Sequence, residues 1–221
     1  FGLLLSVGFS SIGFIAAITV TVLAAREVSN NPLFLGFPNA VGVGGAFLGT
    51  QMFYKISKKY SRLAALSLTF FVGALGSVVL FYSLIIDSFI LLMIGALILG
   101  FGQSATLQSR YAASFVASEK FKATALSLAV WFSVFGSVFG PRLVSVYSDY
   151  FDNLFNSELI VGYIVAMVGM LFASASVLTF TSSNSSLREP AEVEEVAEKV
   201  NESKKGGNIL TLLLVLNHFT M

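Results

Sequence analysis

The residues best suited to binding chemistry are gathered in one short stretch of an otherwise apolar sequence. Within eight consecutive positions the chain has six polar side chains: Gln103, Ser104, Thr106, Gln108, Ser109 and Arg110. Polar side chains are costly when they face lipid, so we expect this stretch to face protein or a water-filled cavity. Such groups bind through hydrogen bonds, and the sequence offers no bond-breaking chemistry beside them.

Arg110 is the one charged residue that lies clearly inside an apolar stretch. A charge inside a membrane-spanning segment is by default a candidate functional residue. Two structural interpretations compete with a direct role in handling a ligand or a proton. The long side chain can reach water from near the end of its segment, or it can form an ion pair with Glu119. The position of Arg110 near that end favours the structural interpretations.

Catalytic side chains are not visible in the apolar stretches. The chain has no cysteine and one histidine, His218, which excludes disulfides and thiolate metal sites and leaves too few ligands for a histidine site. Every Asp and Glu lies in a loop, at the end of an apolar stretch or in the polar segment 182–208. The sequence therefore predicts no enzyme activity, no metal site and no cofactor.

The composition shows which elements must position these residues. Of the 221 residues, 56% are hydrophobic and 11% are charged, whereas a soluble domain carries about 25% charged residues. So few charges cannot cover the surface of a water-soluble protein of this size. The lipid bilayer is therefore the expected environment of most of the chain.

Six stretches are long and apolar enough for membrane-spanning helices, which need roughly 20 residues each. A seventh begins near Asn208. The first stretch lacks the basic start of a signal peptide and has too long an apolar run for one. The sequence therefore predicts an all-α polytopic membrane protein with these six spans: 1–24, 33–54, 63–86, 88–116, 123–146 and 159–181.

The distribution of basic residues predicts the orientation in the membrane. Ten of the 13 Lys and Arg residues lie in the loops after the second, fourth and sixth spans. Basic loops stay in the cytoplasm, so we expect a cytoplasmic N-terminus and a location in the inner (plasma) membrane. The net charge of +1 gives no indication of nucleic-acid binding.

The polar segment 182–208 divides the chain into a six-helix bundle (1–181), a cytoplasmic linker and the start of a second bundle (209–221). Val193, Val196, Ala197 and Val200 recur at helical spacing among six Glu residues, which predicts a short amphipathic helix. The sequence begins with Phe1 and stops at Met221 inside an apolar run. This organisation is typical of the first half of a longer protein.

Glycine and proline spacing predicts close helix packing. Gly45 and Gly49 form a GxxxG pair in the second span, and small residues at this spacing let helix backbones approach each other in lipid. In the fifth span Gly136 and Gly140 precede Pro141. A proline inside a spanning helix frees a backbone carbonyl and permits a bend.

This layout resembles the major facilitator superfamily, whose members have twelve spans in two six-span bundles joined by a long cytoplasmic loop. The run Gly136, Gly140 and Pro141 is similar to the antiporter signature of the fifth span. The loop 55–62 resembles the family's basic loop after the second span, with Lys59 and Arg62 at basic positions and Lys58 where an acidic residue is expected. The stretch 100–143 is similar to bacterial drug exporters.

The resemblance implies a secondary transporter that works by alternating access and exports small organic molecules with ion coupling. It implies four residues that line the substrate cavity, three that form a hinge and four that form a cytoplasmic gate. The cavity residues are Ser10, Ser11, Gln103 and Thr106. The hinge residues are Gly136, Gly140 and Pro141, and the gate residues are Lys59, Arg62, Arg110 and Glu119.

The implied partners are the bilayer, a small-molecule substrate, the second half of the same protein and protons as the coupling ion. No carboxylate is buried in the six spans, so a coupling acid must lie in the second half, or His218 or Arg110 must take part, or the carrier is a uniporter. Two alternatives stay open: a nutrient uptake carrier of the same fold, and a six-span scaffold or sensor that does not transport.

Overall fold

The computed structural model describes residues 2–29, 34–117, 119–155 and 157–183. In these residues the chain forms six long α-helices and no strand. A short 3-10 helix, Glu119–Phe121, joins the fourth helix to the fifth. The helices are α1 (Gly2–Ser29), α2 (Phe37–Lys59), α3 (Arg62–Ile85), α4 (Phe89–Val116), α5 (Lys122–Phe155) and α6 (Ile160–Ser183).

Serine caps fix the starts of the third and fourth helices. Ser61 accepts a hydrogen bond from the backbone N–H of Ala64 at 3.1 Å, and Ser88 accepts one from Leu91 at 3.4 Å. An N-cap side chain satisfies one of the amide groups that the first helical turn leaves without a partner. Helix α2 instead has a proline in its first turn, Pro38, where the missing N–H is not needed.

Five of the described helices are long and apolar enough to cross a membrane: α1, α3, α4, α5 and α6. Helix α2 has the length but is less apolar, because glycines and polar residues interrupt its sequence. The prediction of an all-α polytopic membrane protein is confirmed.

Helices α3 and α6 pack side by side, with α4 against the other side of α3 and α1 against α6. Helix α5 lies against α1, and α2 lies against α4. Most of the largest fully buried side chains, including Phe70 and Tyr163, belong to α3 and α6, and the others belong to α1 and α4. Ser67 of α3 and Ser174 of α6 form a buried hydrogen bond between their hydroxyls at 2.9 Å. The core of the bundle therefore lies between α1, α3, α4 and α6.

Helix α5 differs most from its predicted span. It was predicted over 123–146 and ends at Phe155, because the polar residues that follow Val146 continue the helix instead of starting a loop. Only 22% of an apolar 18-residue stretch of α5 is buried inside the bundle, against 56% of the corresponding stretch of α1. The predicted linker helix, His218 and the predicted seventh span lie outside the described residues.

Candidate functional site

A cleft lies between α1, α2 and α4, with a cavity volume of about 40 Å³. It holds a few water molecules at most, since one water needs roughly 10–15 Å³ of such space. The first, second and fourth helices all contribute to its walls. The lining residues are Phe14, Ile18, Thr21, Pro38, Asn39, Gly42, Val43, Ala96, Leu99, Gly100 and Gln103.

Three of the lining side chains are polar, and each comes from a different helix. Thr21 of α1 donates a hydrogen bond to the carbonyl of Ala17 at 2.7 Å and accepts one from the hydroxyl of Tyr163 at 3.4 Å. Asn39 of α2 and Gln103 of α4 are half-buried. Neither amide has a hydrogen-bond partner among the described residues. The two amides are therefore free to bind water or a ligand.

No lining residue of the cleft carries a charge. Burying an ion in such an apolar setting without a counter-charge is costly, whereas a neutral polar group needs hydrogen bonds alone. Apolar walls with a few polar side chains that fix orientation are the usual composition of small-molecule sites. The cleft can therefore hold part of an uncharged, partly apolar molecule.

The close approach of α2 and α4 forms one wall of the cleft. A Cβ at Gly45 would overlap the carbonyl group of Leu97, and a Cβ at Gly49 would lie 2.8 Å from the Cα of Phe101. Real Cβ atoms do not approach this closely. The glycines of the GxxxG pair therefore face α4.

The other residues predicted to line the cavity lie in packed surroundings within this bundle. Ser10 and Thr106 are buried and donate hydrogen bonds within their own helices, to Val7 at 3.2 Å and to Gly102 at 3.1 Å. Ser11 is 4% exposed, and its hydroxyl oxygen has no hydrogen-bond partner in the described part of the chain. Of the four predicted residues, Gln103 is the one that lines this cleft, and the assignment of all four stays a prediction.

The predicted hinge residues lie at the contact between α5 and α1. A Cβ at Gly136 would lie 2.5 Å from the Cβ of Ser11, and one at Gly140 would lie 2.8 Å from the carbonyl oxygen of Ile12. Pro141 follows inside the continuous helix and has no N–H to offer the carbonyl of Ser137, four residues earlier. At the two glycines no α5 side chain lies between the helices, and directly beside them Pro141 removes one backbone hydrogen bond of α5.

The predicted gate residues lie at one end of the bundle. Lys59 is the last residue of α2 and is exposed, and Arg62 is the first residue of α3 and is half-buried. Arg110 is half-buried near the end of α4, and its Nε has no hydrogen-bond partner among the described residues. Glu119 begins the short 3-10 helix, and its side chain lies outside the described part of the structure. The predicted pairing of Arg110 with Glu119 therefore stays a prediction.

Sequence reasoning did not find the α1 part of the cleft. Phe14 and Ile18 look like lipid-facing or packing residues, and Thr21 is one of several hydroxyl residues in α1 with nothing to distinguish it. Among the lining residues that were not predicted, Asn39 gives the clearest sequence signal of a polar environment, because an amide in an apolar segment is costly unless it has a polar neighbour. Its nearness to the α1 and α4 residues follows from the packing of three helices, which no local pattern shows.

Comparison with known proteins gives two related transporters. An uncharacterized MFS-type transporter of Bacillus subtilis (strain 168), YdeG, is 34% identical over 165 residues, which cover 75% of this chain and 38% of that protein. A second uncharacterized MFS-type transporter of the same strain, YddS, is 31% identical over 172 residues, covering 78% of this chain and 39% of that protein.

The chain therefore spans about two fifths of the length of the curated relatives it matches. No family model matches it, and no solved structure gives a significant match. The two relationships support the resemblance drawn from the sequence: over three quarters of its length the chain is similar to two MFS-type transporters.

Proposed function

We propose that this chain forms one bundle of a secondary transporter that moves small organic molecules by alternating access. The observation that carries the proposal is the sequence relationship, over three quarters of the chain, to two MFS-type transporters more than twice as long as the matched region. A second bundle would supply the opposite wall of the pathway. Two bundles that rock about a site near the middle of the membrane are the usual architecture of such carriers.

The helix contacts support relative movement inside the bundle. Gly136 and Gly140 present no side chain to α1, so no α5 side chain obstructs movement along α1 at these two positions. Pro141 weakens the backbone of α5 directly beside that contact. Only 22% of an apolar 18-residue stretch of α5 is buried within this bundle. The helix therefore has a large exposed surface that a second bundle could cover.

Export is the direction that the proposal favours, because the fifth-span run of Gly136, Gly140 and Pro141 resembles the signature of antiporters. Protons are the proposed coupling ion. The lining of the cleft includes no carboxylate, so the proposal places the proton-binding acid in the second bundle. The proposed location is the inner membrane, with the N-terminus of α1 on the cytoplasmic side.

The test uses the full-length protein in proteoliposomes with a pH gradient of either sign. A panel of uncharged and cationic amphipathic dyes is loaded, and dye movement and proton flux are recorded together. Gradient-driven dye movement coupled to proton flux in the opposite direction supports proton-coupled export. Dye movement that follows its own concentration gradient in both directions with no proton flux supports a uniporter, and coupled movement in the same direction as protons supports uptake. If neither dyes nor a panel of nutrients moves, the scaffold or sensor alternative replaces transport.

A further inference from the structure

The end of α2 carries a group of positive charges, of which the transporter resemblance assigns a role only to Lys59, as a predicted gate residue. Lys55, Lys58 and Lys59 are exposed on the last two turns of the helix. Tyr54 and Tyr60 flank them and are 47% and 61% exposed. We call these five residues the basic end of α2.

Two of the lysines lie against tyrosine rings. The Nζ of Lys58 is 4.7 Å from the ring centroid of Tyr54, and the Nζ of Lys59 is 5.4 Å from that of Tyr60. Ammonium groups within about 6 Å of a ring centroid are attracted to the face of the ring. The rings therefore restrict the positions of the two ammonium groups without neutralising their charge.

In the described part of the chain, the lysines at the basic end of α2 have no acidic partner. Between Glu27 and Asp87 the sequence contains no Asp or Glu, so α2 and α3 supply no acid. No ion pair to these three lysines is found within the described residues. Lys55 and Lys59, one helical turn apart, therefore repel each other, and no acidic residue of α2 or α3 offsets this repulsion. An anion bound between the lysines would remove this repulsion.

One exposed face of α2 leads from apolar to basic residues along the helix axis. Val43 and Phe47 are each 65% exposed, and Tyr54 and Lys58 follow on the same face. Phe47 and Lys58 are about 16 Å apart along the helix at 1.5 Å per residue. Tyrosine is typical of the depth at which lipid headgroups meet the hydrocarbon region. The order apolar, tyrosine, lysine matches the order acyl chain, glycerol, phosphate of a phospholipid.

We infer that the basic end of α2 binds the headgroup of an anionic phospholipid, whose acyl chains lie along Phe47 and Val43. Basic residues beside a membrane-spanning helix attract anionic headgroups. The tyrosine rings make this site more than a surface charge, because they hold two ammonium groups at the depth of the phosphate. The site is independent of the direction of transport and of the coupling ion.

The experiment measures binding of dioctanoyl phosphatidylglycerol to the purified full-length protein in an uncharged detergent. We expect saturable binding that dioctanoyl phosphatidylcholine does not reproduce and that weakens as salt is raised. Lys58→Gln should weaken binding about fivefold. Lys120→Gln removes the same charge from an exposed lysine of the 3-10 helix and should leave binding within a factor of about two of the unchanged protein, since this lysine belongs to the connection between α4 and α5 and not to α2.

A second pair of variants tests the rings. Tyr54→Phe keeps the ring and should bind like the unchanged chain, whereas Tyr54→Leu should weaken binding roughly threefold. Equal losses for Lys58→Gln and Lys120→Gln, or no loss with Tyr54→Leu, would overturn the site. Competition by millimolar inorganic phosphate as effective as that by the lipid would show a phosphate site and also overturn the proposal. Because no step of the assay involves transport, a failure here leaves the proposed transport function standing.

Discussion

Gly44 and Gly45 are neighbours in α2 with opposite surroundings. A Cβ at Gly44 would meet nothing within 4 Å, whereas one at Gly45 would overlap the carbonyl group of Leu97 in α4. Backbone atoms cannot move aside as the end of a flexible side chain can. The same methyl group therefore has different consequences at the two positions.

We expect Gly45→Ala to lower the free energy of unfolding by about 1–3 kcal/mol, the usual cost of overpacking. Gly44→Ala should leave it unchanged or raise it by up to about 1 kcal/mol, because alanine has the higher helix propensity. Unfolding in sodium dodecyl sulfate, followed by circular dichroism, measures both. Equal destabilisation by the two variants would mean that α2 and α4 do not touch at Gly45.

Gln103 allows a residue-scale test of the cleft. We expect Gln103→Ala to lower transport by the full-length protein about three- to tenfold, the usual effect of removing one hydrogen bond to a ligand. Gln51→Ala is the matched control, because Gln51 is an exposed amide of α2 that does not line the cleft. Initial rates of substrate movement in proteoliposomes are the readout. Unchanged transport by the Gln103 variant would show that the substrate bypasses the cleft.

At the scale of elements, α5 and α2 contain prolines in contrasting positions. Pro141 lies inside α5, where it removes a backbone hydrogen bond, and Pro38 lies in the first turn of α2, where it removes none. Pro141→Ala should therefore raise the thermal unfolding temperature of the chain while slowing transport by the full-length protein. Pro38→Ala should change neither by much. A Pro141→Ala protein that transports at the original rate would exclude a hinge at this position.

Five of the six helix starts could be predicted closely from the sequence, whereas the ends of α1, α2 and α5 lie beyond the predicted spans. Ser61 and Ser88 directly precede apolar runs, and α3 and α4 begin within one residue of the predicted spans. The end of α5 was missed because Asp149 and Asp152 look like loop residues. Hydropathy marks where a helix leaves lipid, and backbone hydrogen bonds continue past that point to Phe155.

The candidate site could be predicted only in part, because the packing of the helices decides which polar residues line the cleft. Gln103 stood out because an amide in an apolar span needs a polar environment. Ser11 carries the same kind of signal, yet it faces Gly136 of α5. A serine that packs against a glycine and a serine that lines a cavity look alike in one sequence. The choice of helix partners decides between them.

The whole molecule offers a direct test of membrane orientation, because the chain contains no cysteine. A cysteine introduced at Ile86, which is 63% exposed between α3 and α4, should react with a membrane-impermeant maleimide in intact cells. One introduced at Lys120, between α4 and α5, should react only after the cells are permeabilised. The unchanged chain provides the background. The reversed pattern would place the basic loops outside and contradict the proposed cytoplasmic N-terminus.

Because α5 extends well beyond Pro141, a bend at this residue would move the far end of the helix. The stretch from Pro141 to Phe155 stays helical and extends for about 21 Å at 1.5 Å per residue. A change of about 10° at the proline would therefore displace the far end of the helix by about 4 Å, wider than a water molecule, while α1 beside Gly136 hardly moves. A small change of angle at Pro141 would therefore become a displacement at the end of α5 large enough to admit or exclude a water molecule.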